Sequence, residues 1–432
     1  MTRSRIAAAL TLLAAGLWPA CQPACAKAPR VVRSTLRNKI RVVVIEIEQS
    51  KNVSIFTFLP IGLAVDGPGQ GQWAHLVEHL AIRSTVPQGT SQANAETLPD
   101  HMRLDFYGNT QNWQEGLAHH ARWLKGVPFT AENLRREKSQ ANAECDFTAK
   151  RLATHKFAMA AWAQGFRHGQ THAALKGDVL RAGLAEIQQY RDQHLAVLDR
   201  TVVCMVGGLS AEVVQPVVAK YLGEITSRAR IPAAVKVHEG SREMTWDLDA
   251  RHLVLTWPIP RPADKNYAPL MVAERLLMMR AFTDAELKAL TGMVLVGTDL
   301  NVPEGDFFYV SASLQPDASF DAVCQRINAH VEALRSGEAG GFQVPMMAQQ
   351  LALMLAAPAD PATAKALAPP NVSVAMLEGN LGLQWGMQEF RYGDRRSALA
   401  AALRSVDAKA VQRAATTYLA AEKQSGCAIS PR

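Results

Sequence analysis

Only one long apolar run occurs in this 432-residue chain, and it lies at the extreme N-terminus, which excludes a polytopic membrane protein. Dense Lys/Arg blocks with interleaved aromatics are missing too. The formal charge of +7 is spread thinly, so no nucleic-acid partner is expected. None of the six cysteines falls in a C-x-x-C pair, which removes zinc ribbons and thioredoxin-like sites. The glycines at 67–71 lack the Lys-Ser/Thr that a phosphate loop requires. What remains is 48% hydrophobic and 20% charged, an ordinary globular balance. At this length two or three domains are expected, each large enough for its own core.

The first 26 residues read as an export leader. Arg3 and Arg5 form a charged start, residues 6–18 are apolar, and Ala24-Cys25-Ala26 fits an A-x-A cleavage site. The mature chain would begin at Lys27 in an exported, periplasmic setting. The apolar run is too short to span about 30 Å of hydrocarbon, so no stable membrane insertion is expected. Bulky or rigid residues before Cys21 and Cys25 disfavour a lipid anchor. Cleavage leaves Cys145, Cys204, Cys324 and Cys427. Cys204 lies in an apolar strand and reads as a buried thiol. Cys324 and Cys427 are candidates for a disulfide, which an oxidising compartment permits.

Hydrophobic periodicity divides the mature chain into two sets of elements. The first set has strands at 40–47, 53–59, 102–107 and 201–206, and helices at 72–83, 112–125, 130–150, 183–195 and 211–221. Thr130 is placed to cap the third of these helices. Residues 228–244 are weakly patterned, contain Pro232 and suit a linker. The second set has strands at 253–257, 307–314 and 426–430, and helices at 268–279, 320–334, 372–392 and 406–421. An Ala/Pro-rich loop is expected at 356–370. Both sets close with a helix ending in a tyrosine (Tyr190, Tyr418), a turn and a strand. That weak repeat predicts an α+β protein of two similar α/β-sandwich domains in tandem, 27–227 and 245–432.

The chemistry is concentrated in His75-Leu76-Val77-Glu78-His79 on a predicted helix. Residues four apart share a helix face, so the two imidazoles can converge on one metal while Glu78 reaches a water bound there. H-x-x-E-H is the inverse of the H-E-x-x-H zinc-peptidase motif. A catalytic zinc needs a third protein ligand and an open position. Glu137 and Glu144, two turns apart on the 130–150 helix, point the same way. One can ligate and the other can sit behind a histidine. His168 and His172 are also four apart, but Gly169 breaks the helix pattern and no carboxylate is suitably placed. His119 and His120 are neighbours, cannot face one way, and read as solvent-exposed. Cys145, beside Glu144, points about 100° away and reads as core.

These residues resemble the pitrilysin/insulinase (M16) family of zinc peptidases, in its half-length M16B form. The resemblance covers most of the mature chain. Thr35-Leu36-Arg37-Asn38 with 40–44 is similar to the family's opening strand. Gly71-Gln72-Trp73-Ala74-His75 resembles its glycine-then-helix entry. Asn94-Ala95-Glu96-Thr97 resembles its Asn-Ala-x-Thr strand, and 129–138 resembles the helix before the third ligand. The resemblance implies the LuxS/MPP-like metallohydrolase fold and Zn2+ held by His75, His79 and Glu144. It makes Glu78 the general base and Glu137 the carboxylate behind a histidine. It also implies that an extended peptide adds to the strand at Asn94, Ala95 and Thr97. His79 and Glu144 fall 65 positions apart, shorter than is usual in the family, which points to a trimmed loop.

The second half departs from the family pattern. Where active members place an Arg and a Tyr that close over the substrate, 287–293 offers Lys288 and Met293. The expectation is therefore a zinc endopeptidase subunit acting on unfolded peptides. It would borrow the Arg/Tyr pair from a homologous subunit in a heterodimer, or work as a homodimer. The rival expectation is a non-catalytic assembly or peptide-binding partner that has kept its zinc site.

Overall fold

The computed structural model describes residues 29–431 apart from 68, 86–92, 152–158, 160–161, 163–176, 196, 227–239, 247–249, 303–304, 339–341 and 357–371. The leader, the His168/His172 pair, most of the 228–244 linker and nearly all of the 356–370 loop lie outside the described residues, as does the side chain of Cys145.

The first half runs β1 (Arg30–Thr35), β2 (Arg41–Glu46), β3 (Asn52–Leu59), α1 (Trp73–Thr85), β4 (Ala93–Thr97), β5 (Met102–Asn109), α2 (Trp113–Lys125), α3 (Ala131–Arg151), α4 (Gly177–Arg181), α5 (Leu184–His194), β6 (Val202–Gly207) and α6 (Ala211–Leu222). The second runs β7 (Arg242–Trp246), β8 (His252–Ile259), α7 (Tyr267–Thr283), α8 (Ala285–Leu290), β9 (Thr291–Val302), β10 (Gly305–Leu314), α9 (Phe320–Arg335), α10 (Gln343–Ala356), α11 (Val374–Tyr392), α12 (Arg396–Arg404), α13 (Ala408–Tyr418) and β11 (Ser425–Pro431). Thr130 caps α3 as expected, accepting from the Asn133 amide at 3.1 Å. The sequence patterns missed β1, β9, α4, α8, α10 and α12, and β7 takes up the end of the expected linker.

Two sheets follow, ordered β1-β2-β6-β3-β5-β4 and β7-β11-β8-β10-β9. The last five strands of the first have the same order and sense as the second. β2 and β6 are parallel, as are β7 and β11, and every other step is antiparallel. The expected duplication of an α+β unit is thus realised strand for strand.

The first sheet is buried on both faces, which is why 42–45 reads as unbroken Val and Ile. Val42 and Val44 join the core under α1 and α2, whereas Val43 and Ile45 pack with Phe56, Phe58, Leu381 and Trp385. The covering helix on the second face is α11, from the other half of the chain. Its close approach needs Gly382 and Gly386, where a Cβ would lie 2.4 Å from Val206 and from Phe58. In return Trp162 packs edge-on against Phe307 of β10, with ring centroids 4.9 Å apart. The halves therefore interlock through exchanged cover.

The cysteines follow from this layering. Cys204 is buried, and burial raises its thiol pKa far above the usual range. Cys324 and Cys427, the candidates for a disulfide, are both free thiols. Cys427 faces the first core from β11, with Sγ 3.2 Å from Met244 Sδ, whereas Cys324 on α9 packs against the second core. The two sulfurs belong to different layers, which a disulfide cannot bridge.

Candidate metal centre

Helix α1 carries the motif, and its first turn is pinned from two distant segments. Asp66 Oδ1 accepts from the Ala74 amide at 3.1 Å and from the Tyr190 hydroxyl at 2.5 Å. Asp178 Oδ2 accepts from the Gly71 amide at 2.9 Å, and its carbonyl accepts from Trp73 Nε1 at 3.2 Å. Carboxylates at a helix N-terminus satisfy orphan amides and oppose the macrodipole. Complete burial nonetheless pushes the Asp66 carboxyl up to about 7.

The i,i+4 spacing delivers both imidazoles to one face, where α3 crosses. His75 Nε2 and His79 Nε2 lie 3.1 Å apart. Glu144 Oε2 is 3.2 Å from His79 Nε2, and its Oε1 is 3.9 Å from His75 Nε2. One ligand atom from each of the three residues lies within 4.8 Å of the others. The third corner is open, since the Glu144 side chain is 52% exposed while those of His75 and His79 are largely buried.

Glu137, one α3 turn pair earlier, has a different position. It is buried, with Oε2 3.2 Å from His79 Nδ1 and Oε1 accepting from Arg83 Nε at 2.9 Å. A carboxylate against Nδ1 makes that nitrogen the N–H donor and leaves the Nε2 lone pair for a metal. Of the two glutamates left open by spacing, Glu144 lies on the Nε2 side of both imidazoles and Glu137 on the Nδ1 side of His79. Burial alone would lower the His79 pKa. The hydrogen bond to Glu144, the charge of Glu78 and the contact with Glu137 together raise it above the ordinary value.

Glu78 is buried on the same helix and accepts from Thr97 Oγ1 at 2.5 Å. Thr97 is on β4, which pairs on one side with β5, in the register Asn94↔Asp105, Ala95↔Leu104 and Thr97↔Met102. β4 is the sheet's last strand, so its other edge has no strand beside it among the described residues. Asn94 is exposed and Ala95 half-buried, but the Thr97 side chain is buried and engaged with Glu78.

One expectation about another residue changes. His120 is buried, not exposed; its Nδ1 lies 2.9 Å from Thr57 Oγ1, and burial pushes its pKa down to about 3. Lys288 lies on α8 and is exposed, and Met293 is exposed on β9. Sequence reasoning overlooked Arg83, although its spacing of four from His79 was a signal that both share a face. Asp66 and Asp178 carried no local signal.

Two imidazoles and one carboxylate whose ligand atoms converge within 4.8 Å fit the donor set of a catalytic Zn2+. A second carboxylate, Glu137, lies against the Nδ1 of His79, and the charge of Glu78 also acts on that imidazole.

Comparison with known proteins agrees with this architecture. Residues 182–340 match the family model described as the Peptidase M16 inactive domain. That stretch begins after α1 and includes α7, β9 and β10. No curated protein matches the chain by sequence. Among solved structures the chain is similar to a protease from Helicobacter pylori, with 14% identity, a TM-score of 0.71, and 94% of this chain and 100% of that one covered. It is also similar to the first half of the periplasmic protease PqqL from Escherichia coli, with 12% identity, a TM-score of 0.61, and 94% and 93% covered. Against pitrilysin the identity is 16% and the TM-score 0.63, with 96% of this chain covering 46% of that one. The fold is thus that of an M16-like peptidase half, with the M16 inactive-domain match lying at residues 182–340.

Proposed function

We propose that this chain is a zinc-dependent endopeptidase subunit acting on unfolded peptides. The observation that carries the reading is the convergence of His75, His79 and Glu144 within 4.8 Å, with Glu78 beside them. His75, His79 and Glu144 would hold Zn2+, and Glu137 would orient His79. Bound there, the ion would supply a Lewis acid that acidifies water and polarises the scissile carbonyl. Glu78 takes a proton from the attacking water and returns it to the leaving amine. An extended peptide lies along the open edge of β4 at Asn94 and Ala95, held by main-chain hydrogen bonds. Such an edge accepts only chain that is already unfolded.

Lys288 and Met293 favour a two-subunit enzyme, in which a homologous M16-like chain supplies the Arg/Tyr pair. A homodimer is the alternative assembly. The match of 182–340 to a model described as inactive favours a second reading, a non-catalytic zinc-containing partner. Read as an export leader, residues 1–26 support a periplasmic setting, with 27–227 and 245–432 as the two domains of the proposed subunit. Among the described residues no helix is long and apolar enough to cross a membrane. Metal content of the purified protein, and peptide hydrolysis by wild type and Glu78→Gln with and without the partner, test the reading. Equal hydrolysis by both proteins would end the enzymatic version.

A further inference from the structure

The strand-for-strand duplication sets β9 in the place of β4, and α7, between β8 and β9, in the place of α1, between β3 and β4. Each strand–helix pair is joined by the same bond. Thr97 Oγ1 donates to Glu78 Oε2 at 2.5 Å, and Thr298 Oγ1 donates to Glu274 Oε2 at 2.8 Å. All four residues are buried. Aligning Glu274 with Glu78 puts Met271 where His75 stands and Arg275 where His79 stands, and α7 contains no histidine. The threonine–glutamate clasp therefore forms in a half whose helix has no imidazole ligands, so a metal is not what assembles it.

We propose that Thr97 is a positioning residue for the general base. It fixes the Glu78 carboxylate from the edge strand before metal or substrate arrives. This rests on the peptidase reading above. A hydroxyl donating to a carboxylate at this distance makes a strong, directional bond. It ties the base to the strand along which the peptide lies, so one residue couples substrate docking to the proton acceptor. The Thr97 side chain then serves Glu78, and peptide recognition at this strand falls to the main chain and to Asn94 and Ala95.

The second half supplies a matched control. Thr97→Val and Thr298→Val each remove one clasp with little change of shape, so a purely structural role predicts similar effects for both. We expect both to lower the melting temperature slightly and to leave zinc affinity unchanged. Only Thr97→Val should lower kcat for a fluorogenic unfolded peptide, by about 10–100-fold with KM within about twofold. Thr97→Ser, which keeps the hydroxyl, should recover most of the loss. A crystal structure of zinc-loaded Thr97→Val should show the Glu78 carboxylate displaced. Turnover of Thr97→Val equal to that of Thr298→Val, or a Glu78 carboxylate still in place in that crystal, would overturn the proposal. Failure of the peptidase reading would look different: wild type and Glu78→Gln would hydrolyse alike, whatever the position of the carboxylate in the crystal.

Discussion

The two glutamates of α3 should respond in opposite ways when each is removed. Glu137→Ala takes a buried carboxylate from between Arg83 and His79. Breaking a fully buried ion pair costs about 3–5 kcal/mol, but the Arg83 side chain is 32% exposed and can turn to water, so about 2 kcal/mol is expected here. Zinc affinity should fall by about 10–100-fold, because His79 loses the group that fixes its tautomer. Glu144→Ala removes a half-exposed side chain, so the metal-free protein should lose no more than about 0.5 kcal/mol. Its zinc affinity should drop by more than about 100-fold, beyond the range of a supporting residue, since two protein ligands remain. Chelator competition gives the affinities, and urea melts of the metal-free proteins give the stabilities. Zinc held more tightly by Glu144→Ala than by Glu137→Ala would exchange the two roles and refute the reasoning.

Three further outcomes follow from the same geometry. Glu78→Gln should retain zinc and peptide binding yet lose about 10²–10⁴-fold in turnover, measured with a fluorogenic peptide; near-normal cleavage would remove Glu78 as base. The isolated chain should be a weak peptidase, and a homologous subunit carrying the Arg/Tyr pair should raise its rate at least about a hundredfold while the two co-elute as a heterodimer, whereas strong activity of a verified monomer would contradict this. Asp66 is held at about 7 against an ordinary value of 3.8, so its contribution to stability is full at acid pH and is lost as pH rises through about 7. Asp66→Asn, which keeps the acceptor for Tyr190 and Ala74, should flatten that slope in melts between pH 4 and 8, and an unchanged slope would assign the pH dependence elsewhere.

Within single elements the sequence was decisive. Residues four apart on one helix share a face whatever surrounds them, so His75, His79 and the adjacent Glu78 could be grouped on spacing alone. The apolar runs at 42–45 and 202–206 marked inner strands, because a strand buried on both faces cannot alternate with polar residues. The closing helix–turn–strand of each half disclosed the duplication. Strands β1 and β9 stayed hidden because arginines at 30 and 33, and glycines at 292 and 297, dilute the β pattern of strands at a sheet edge.

Only tertiary packing could decide what lies between elements. Spacing put Glu137 and Glu144 on one helix face; the crossing of α1 and α3 set Glu137 against the buried Nδ1 side of His79 and Glu144 at the open Nε2 side. The same packing put Cys324 and Cys427 in different layers and laid α11 across the first sheet. It also closed the Thr97–Glu78 and Thr298–Glu274 bonds. Sequence periodicity fixes which residues share a face, but how close two faces come is set by the side chains that fill the space between them.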